Sequence, residues 1–342
     1  MALTAIPMLV NLHILSIFTV DETFNEAALI VSKYAQANNK NGSNHDLPTL
    51  DFAIIGFAKT ATSLLHGILA NHSQVIMYDD EFWGDGYGLR QWLNKTTAIK
   101  TQQTPTRRGI KCPRIVKETA RLDQLLNNTS RVIVGVRHPV HWFESLYNYR
   151  IWKKHEKKRF KNQPTMKFLH NNRTDWLGLS TGAARFDLYL KQLGKVPLTY
   201  HEKFNLKLIN NVHGIMGTTS HHKEHPLKVF LYSIEQIKDS NVQRRLQFQE
   251  TLQQFLNLDS PLPQRDIAEP KVNVNKFEHS ENIDICDENY ADIRNTLVWQ
   301  GKHASDWIRN KFMKSEDVVV SDVDFMNENL ERWGADPCES KE

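Results

Sequence analysis

Short apolar runs alternate with amphipathic segments along the chain from about residue 50 onward. Five apolar runs are predicted strands, at 50–57, 75–78, 109–112, 131–136 and 228–232. Predicted helices lie at about 62–71, 137–150, 241–257 and 289–313. Continuous Val, Ile and Phe runs separated by helices are typical of a parallel sheet that is covered on both faces. The pattern therefore predicts a three-layer α/β/α fold with a central parallel sheet.

The first 49 residues do not follow this pattern. Residues 1–20 are mostly apolar and contain no acidic or basic side chain. Three interpretations stay open for them: a signal peptide, a membrane anchor or a buried N-terminal segment. Residues 21–38 have the apolar spacing of an amphipathic helix, and a polar loop follows them. We expect a single domain over residues 50–342.

Composition and charge narrow the class of protein. The chain has 342 residues, of which 40% are hydrophobic and 24% are charged, as in a globular protein with a large core. Its formal net charge of +4 suits an anionic ligand. Nucleic-acid-binding proteins usually concentrate more positive charge on one face, so we predict no nucleic-acid partner.

The cysteines and the glycosylation sequons bear on the compartment. Cys112, Cys286 and Cys338 form neither the pattern of a disulfide framework nor the spacing of a metal site. Unpaired thiols are the favoured interpretation, and a Cys286–Cys338 bridge stays open if the protein is secreted. Sequons mildly favour a secretory lumen. Their asparagines are Asn41, Asn71, Asn94, Asn127, Asn128 and Asn172.

The strongest local signal lies at residues 51–69, DFAIIGFAKTATSLLHGIL, where a buried strand, a short loop and a helix follow one another. Such a corner presents backbone N–H groups and a helix N-terminus to an anion. Lys59 adds a positive charge, and Thr60, Thr62 and Ser63 add hydroxyl groups. The segment lacks the G-x-x-x-x-G-K-[ST] order of a nucleoside triphosphate loop. Taken alone, it is explained equally well as a turn with a surface lysine.

A second strand-loop-helix segment, RVIVGVRHPVHWFESLYNYR at 131–150, strengthens the phosphate interpretation. A magnesium-dependent P-loop enzyme would have an acidic residue where this strand ends, but this chain has Arg137. A guanidinium group binds a phosphate through two N–H donors. Ser145 lies eight residues later, about two helical turns on. Arg137 and Ser145 can thus grip one phosphate without metal, and we predict a P-loop-like α/β fold.

These segments resemble the PAPS-dependent sulfotransferase superfamily over roughly residues 50–260. Residues 59–62, KTAT, resemble the K-[ST]-G-T loop of that family, with Ala61 in place of the usual glycine. The spacing of Arg137 and Ser145 is similar to the family's 3′-phosphate site.

Two further segments carry the resemblance. LYSIEQIKD at 231–239 is similar to the Tyr-Glu-Asp-Leu segment of the family, although the Asp and Leu are not retained. GIKCPR at 109–114 resembles the Lys-x-Pro segment of its membrane-type, carbohydrate-like branch. The phrase HPVHWFESLYNYR is similar to sulfotransferase-like proteins of microalgae.

The resemblance implies transfer of a sulfuryl group from 3′-phosphoadenosine 5′-phosphosulfate (PAPS) to an acceptor hydroxyl or amine, with no metal. Lys59 would donate to the bridging oxygen as the sulfur–oxygen bond breaks. Amides of Thr60, Ala61 and Thr62 and the hydroxyls of Thr62 and Ser63 would hold the 5′-phosphate. Arg137 and Ser145 would bind the 3′-phosphate. The 3′-phosphate distinguishes this donor from ATP.

An acceptor hydroxyl also needs a general base. DDEFWGDGYG at 79–88 resembles the Glu-containing segment of the membrane-type branch, which makes Glu81 the first candidate and Asp79 the second. An exposed acidic turn is the alternative. Lys111 would orient the base or the acceptor unless it is a solvated lysine. His138 is expected to be a neutral histidine packed against the following helix.

A carbohydrate or a small alcohol is the expected acceptor, and a sterol or a protein tyrosine stays open. The basic stretch KKHEKKRFK at 153–161 favours an acidic or sugar acceptor, with a solvated helix face as the alternative. A secretory or Golgi location is expected, with the cytoplasm as the alternative, and membrane anchoring through residues 1–20 stays open. Two other functions stay open: a P-loop nucleotide kinase or hydrolase, and a non-catalytic nucleotide-binding protein on the same scaffold.

Overall fold

The computed structural model of the chain describes residues 50–78, 91–93, 95–96, 106–113, 126–156, 184–193, 195–196, 227–263 and 282–339. The segments predicted over residues 1–20 and 21–49 lie outside these ranges. So do the candidate bases Glu81 and Asp79 and most of the basic stretch 153–161.

Within these ranges, six parallel strands form one sheet in the order β2-β3-β1-β4-β5-β6. The strands are β1 (Leu50–Ile54), β2 (Val75–Met77), β3 (Arg107–Lys111), β4 (Leu126–Val136), β5 (Lys228–Ser233) and β6 (Val318–Val319). Each of the five predicted apolar runs contributes a strand. The predicted central parallel sheet is therefore confirmed.

Helices connect the strands and cover the sheet. They are α1 (Thr62–Ala70), α2 (Pro139–Glu156), α3 (Phe186–Lys191), α4 (Ile234–Ile237), α5 (Val242–Leu256), α6 (Ala291–Asn310) and α7 (Val323–Glu331). Four of them, α1, α2, α5 and α6, lie where the sequence predicts helices. The sequence pattern did not predict α3, α4, α7 and β6, which are short elements outside the predicted segments.

Both faces of the sheet are buried. Phe52 and Ile54 belong to one apolar cluster with residues of α1 and α5, whereas Ala53 and Ile55 belong to another with residues of α2, α6 and α7. Successive side chains of a strand point to opposite faces, so this alternation follows from the run of apolar residues in β1. Full burial of a side chain such as Ile54 contributes about 1.5–3 kcal/mol. The three-layer α/β/α arrangement is thus confirmed.

Strand order fixes where a ligand can bind. β1 has β3 on one side and β4 on the other. From β1 the chain runs to β2 and β3 on one side, and from β4 it runs to β5 and β6 on the other, so the switch point lies between β1 and β4. In open α/β sheets, ligands bind outside the carboxyl ends of the strands at such a switch point. The loops that carry Lys59 and Arg137 follow β1 and β4, so the two predicted phosphate-binding corners are neighbours.

A disulfide bridge joins Cys286 to Cys338, with a Cα–Cα distance of 5.4 Å. The favoured expectation of unpaired thiols is therefore wrong for these two residues. The sequence could not decide this pairing, because a separation of 52 residues gives no local signal. Cys112 is buried and keeps its thiol.

The segment beside the bridge is fastened to the rest of the fold by side-chain hydrogen bonds. The Asn148 amide of α2 donates to Ile283 O and accepts from Ile283 N, each at 2.9 Å. Glu144 Oε1 accepts from Ile285 N at 3.1 Å. Buried Arg294 of α6 donates to Ile285 O at 3.0 Å. The bridge thus closes a corner that is tied to α2, the helix that follows Arg137.

No helix in the described part of the chain combines the length and the apolar character needed to cross a membrane.

Removing the bridge should destabilise the protein. Cys286→Ser is expected to lower the free energy of unfolding by about 4 kcal/mol, because the crosslink restricts the unfolded chain over a loop of 52 residues. Urea denaturation without reductant measures this change. Cys112→Ala is the control, since it removes a thiol that is not in the bridge. An unfolding midpoint of the unmodified protein that does not change on adding reductant would contradict the pairing.

Candidate functional site

The loop after β1 and the end of β4 approach each other through their backbones. A side chain at Gly56 would place its Cβ 2.3 Å from the backbone nitrogen of Gly135. A Cβ on Gly135 would lie 2.4 Å from the ring of Tyr232. Only residues without a side chain fit at these two positions. The paired glycines therefore let the two corners touch and let Tyr232 reach the loop after β1.

Four consecutive carbonyl oxygens of this loop accept hydrogen bonds. The pairs, given as donor and acceptor, are Thr60 Oγ1 to Phe57 O at 2.6 Å, Trp142 Nε1 to Ala58 O at 2.7 Å, Arg137 Nη1 to Lys59 O at 3.5 Å and the Tyr232 hydroxyl to Thr60 O at 2.9 Å. The bond from Arg137 is at the long limit. In a trans peptide the N–H points away from the C=O, so holding the carbonyls turns the loop's N–H groups to the opposite side.

The N–H groups of the loop are thereby left for an anion. Among the described residues, no protein oxygen accepts from the amides of residues 58–62. Lys59 has a φ of 68° and Ala61 a φ of 63°, both left-handed, with Thr60 between them. Successive N–H groups in a turn of this kind form a concave nest that binds anions.

The start of α1 adds to this nest. The helix begins at Thr62, no side chain caps it, and its first turn contains no acidic residue. Its first N–H groups and its dipole therefore favour a negative group at this end. Ala61 has a left-handed conformation, although the K-[ST]-G-T loop that this segment resembles has a glycine at that position. That conformation costs a residue with a side chain about 1–2 kcal/mol.

Arg137 borders the same loop from the end of β4. Its guanidinium lies within reach of Lys59 O, which joins the two predicted corners. Burial lowers the pKa of Arg137, while the carboxylates of Glu235 and Glu144 act to raise it. An arginine remains charged despite such a shift. The site therefore holds a cation that is partly removed from water, where its attraction for an anion is stronger than in bulk solvent.

One stripe of α2 faces the loop after β1. Trp142 donates to Ala58 O, and the ring of Tyr149 lies 4.6 Å from Lys59 Nζ. Ser145 is three residues after Trp142 and four before Tyr149, so it lies on the same stripe. The predicted partner of Arg137 is thus on the side of the helix that faces the loop.

Lys59 is charged at a cost. Burial first, and then the positive charges of Arg137 and Lys238, lower its pKa from 10.5 to about 8. A bound phosphate would reverse this shift, because an adjacent negative charge favours the ammonium form. The site is thus a concentration of positive charge that an anion would relieve.

Lys238 and Glu235 belong to this cluster, but the sequence analysis did not single them out. Burial raises the pKa of Glu235, while Ser233, Arg137 and Lys238 act to lower it. Both residues stand in the segment LYSIEQIKD that carries part of the resemblance. The signal was therefore present, but a lysine and a glutamate just after a strand look like any solvated turn.

Lys111 lies beside the start of α1. It ends β3, where it is paired with Ile54 of β1. Its Nζ donates to Ser63 Oγ at 3.3 Å. Lys111 therefore lies next to the loop after β1 and adds a further positive charge at this sheet edge. The base that it is predicted to orient lies outside the described residues.

Two hydroxyl groups and one histidine need separate assignment. The Thr60 hydroxyl donates to Phe57 O inside the loop, so it is not one of the donors expected for a ligand. Thr62 opens α1 and is buried. His138 Nδ1 accepts from Val140 N at 3.3 Å, so its Nε2 donates to Arg332 O at 3.0 Å. Burial and then His141 lower the pKa of His138 to about 4, so it is neutral as expected.

The arrangement can bind two anionic groups through protein donors. Among the residues that the structure describes, no group of three or more His, Cys, Asp or Glu side chains is placed to hold a metal ion.

Comparison with known proteins gives structural neighbours only. No protein-family model and no curated protein sequence matches the chain. A sulfotransferase from Alicyclobacillus acidocaldarius is similar in structure, with 13% identity and a TM-score of 0.37 over 76% of this chain and 95% of that one. Mouse sulfotransferase SULT7A1 complexed with PAP is similar with 15% identity and a TM-score of 0.27, over 75% of this chain and 66% of that one.

The left-handed alanine provides a test of the loop conformation. Ala61→Gly should raise the free energy of unfolding by up to about 1 kcal/mol, because glycine adopts a φ of 63° without strain. Chemical denaturation measures the change. Ala70→Gly is the matched control: Ala70 is an exposed helical residue, so the same substitution should lower stability by about 0.5–1 kcal/mol. Equal losses in both variants would contradict the left-handed loop.

Proposed function

We propose that this protein transfers a sulfuryl group from PAPS to a hydroxyl or amine of an acceptor. One observation carries the proposal: Lys59 and Arg137 border a single site, since the Arg137 guanidinium contacts the carbonyl of Lys59. A donor with a 5′-phosphosulfate and a 3′-phosphate needs two such cationic positions close together. The nest formed by residues 58–62 supports the 5′-phosphosulfate position, and Arg137 with Ser145 supports the 3′-phosphate position.

Lys59 is suited to assist the leaving group. In the proposed step the acceptor oxygen or nitrogen bonds to sulfur while the bond from sulfur to the bridging oxygen breaks, and the electron pair goes to the phosphate. Lys59 donates a hydrogen bond to that oxygen. Its pKa of about 8 without ligand leaves Lys59 mostly protonated at neutral pH. The phosphate of the bound donor raises that pKa, so Lys59 keeps its proton and its positive charge during the step.

The acceptor must also lose a proton. Glu81 is proposed as the base that takes it, with Asp79 as the second choice. Lys111 beside Ser63 would place a positive charge near that reaction. Carbohydrates and small alcohols are the proposed acceptor class, and no metal ion is required for these roles.

The proposed compartment is the secretory pathway. The Cys286–Cys338 bridge supports it, because disulfides persist in oxidising compartments. The sequon asparagine Asn71 is exposed at the end of α1 and is accessible for glycosylation.

Adenosine 3′,5′-bisphosphate should raise the melting temperature of the protein without magnesium. At a hundred times its dissociation constant, a ligand stabilises the folded state by about 2.7 kcal/mol. Arg137→Gln should weaken this stabilisation, because the 3′-phosphate loses its guanidinium partner. Lys302→Gln is the control, an exposed lysine that pairs with Asp306 on α6. Stabilisation by ATP that requires magnesium, with none by the bisphosphate, would favour the kinase or hydrolase alternative instead.

Lys59→Ala should lower sulfuryl transfer by about 100-fold or more, because the developing charge on the leaving phosphate loses its donor. Transfer of radiolabelled sulfate from PAPS to fractionated glycans and small alcohols measures this. The melting temperature of the variant without ligand shows whether the fold is intact. If the unmodified protein binds the bisphosphate but labels no acceptor, the non-catalytic alternative holds. If Lys59→Ala retains full transfer, the role of Lys59 is wrong.

A further inference from the structure

Tyr149 contacts Lys59, although the proposed function gives it no role. Its ring centre lies 4.6 Å from Lys59 Nζ. Tyr149 is half-buried on α2, one helical turn after Ser145 on the stripe that faces the loop.

The surroundings of Lys59 disfavour its positive charge. Burial, Arg137 and Lys238 all lower its pKa. Among the described residues, no carboxylate forms an ion pair with the Lys59 amine. The carboxylates of Glu144 and Glu235, which lie in the described part of the chain, act on Arg137. The faces of aromatic rings attract cations, so the Tyr149 ring is a contact that favours the ammonium form.

We propose that Tyr149 is a positioning residue that holds the Lys59 ammonium against its ring until an anionic group of the donor binds. This inference rests on the proposed function for the identity of that donor. The contact itself requires only Lys59 and Tyr149.

A ring suits this task better than a carboxylate would. A carboxylate beside Lys59 would form an ion pair that an incoming phosphate has to break, and it would also repel that phosphate. An aromatic ring has no net charge, so it stabilises the cation and repels the anion far less. The lysine can thus stay charged in the absence of ligand and still be available when a ligand arrives.

The pH dependence of Lys59 labelling tests the proposal. Amine-reactive reagents modify the neutral amine, so the labelling of the Lys59 peptide, followed by mass spectrometry against pH, reports the pKa of Lys59. In the full chain without nucleotide, Tyr149→Leu should lower the midpoint by about half a pH unit, because the ring no longer stabilises the ammonium form. Tyr149→Phe should leave the midpoint unchanged, because the ring remains.

Tyr290→Leu is the matched control, the same substitution at another half-buried tyrosine, which precedes α6. It should not move the Lys59 midpoint. If Tyr149→Leu melts well below the unmodified protein, Tyr149→Met is read in its place, since methionine also lacks a ring and fills more of the space. A midpoint that is unchanged in the ring-less variant would overturn the proposal, as would an equal fall in Tyr149→Phe.

Repeating the labelling with adenosine 3′,5′-bisphosphate separates the two proposals. Bound phosphate should raise the Lys59 midpoint by at least about one unit in every variant and reduce the difference between tyrosine and leucine. If the bisphosphate has no effect while the ring-less variant still shifts, the proposed donor is wrong and the ring contact stands.

Discussion

The outward hydrogen bonding of the loop carbonyls is the interaction on which the site depends. Thr60, Trp142, Arg137 and Tyr232 each hold one carbonyl oxygen of residues 57–60. These donors come from the loop itself, from α2, from the end of β4 and from β5, so several parts of the fold determine one short backbone segment. With the carbonyls held, the amides face the other way without further adjustment. The loop is therefore organised for an anion before any ligand arrives.

This organisation creates an electrostatic cost. Arg137 and Lys238 lie close enough to Lys59 to lower its pKa, and burial removes much of the water that would screen these charges. Glu235 offsets part of that charge, but it acts on Arg137 and Lys238. The folded protein thus holds several positive charges close together at an electrostatic cost. This concentration of positive charge attracts a doubly phosphorylated ligand.

Sequence alone could predict the features that are local. The apolar runs predicted the parallel sheet. Lys59 and Arg137 each follow a predicted strand, and they were predicted as the cations of two neighbouring strand-to-helix loops. Contacts between distant segments could not be predicted in this way. Lys238 comes near Lys59 because β5 pairs with β4, and Cys286 meets Cys338 across the C-terminal helices. The Thr60 hydroxyl donates to the carbonyl of Phe57, three residues before it, and this contact depends on the conformation of the loop.

The paired glycines have a consequence for how such a site can change over generations. At Gly56 the obstacle to a side chain is main chain, not a rotatable group, so no neighbouring rotamer could make room for a methyl there. A substitution in one of the two loops is therefore constrained by the backbone of the other. A chain that took the first corner from another protein would therefore still need a residue without a side chain where β1 meets Gly135.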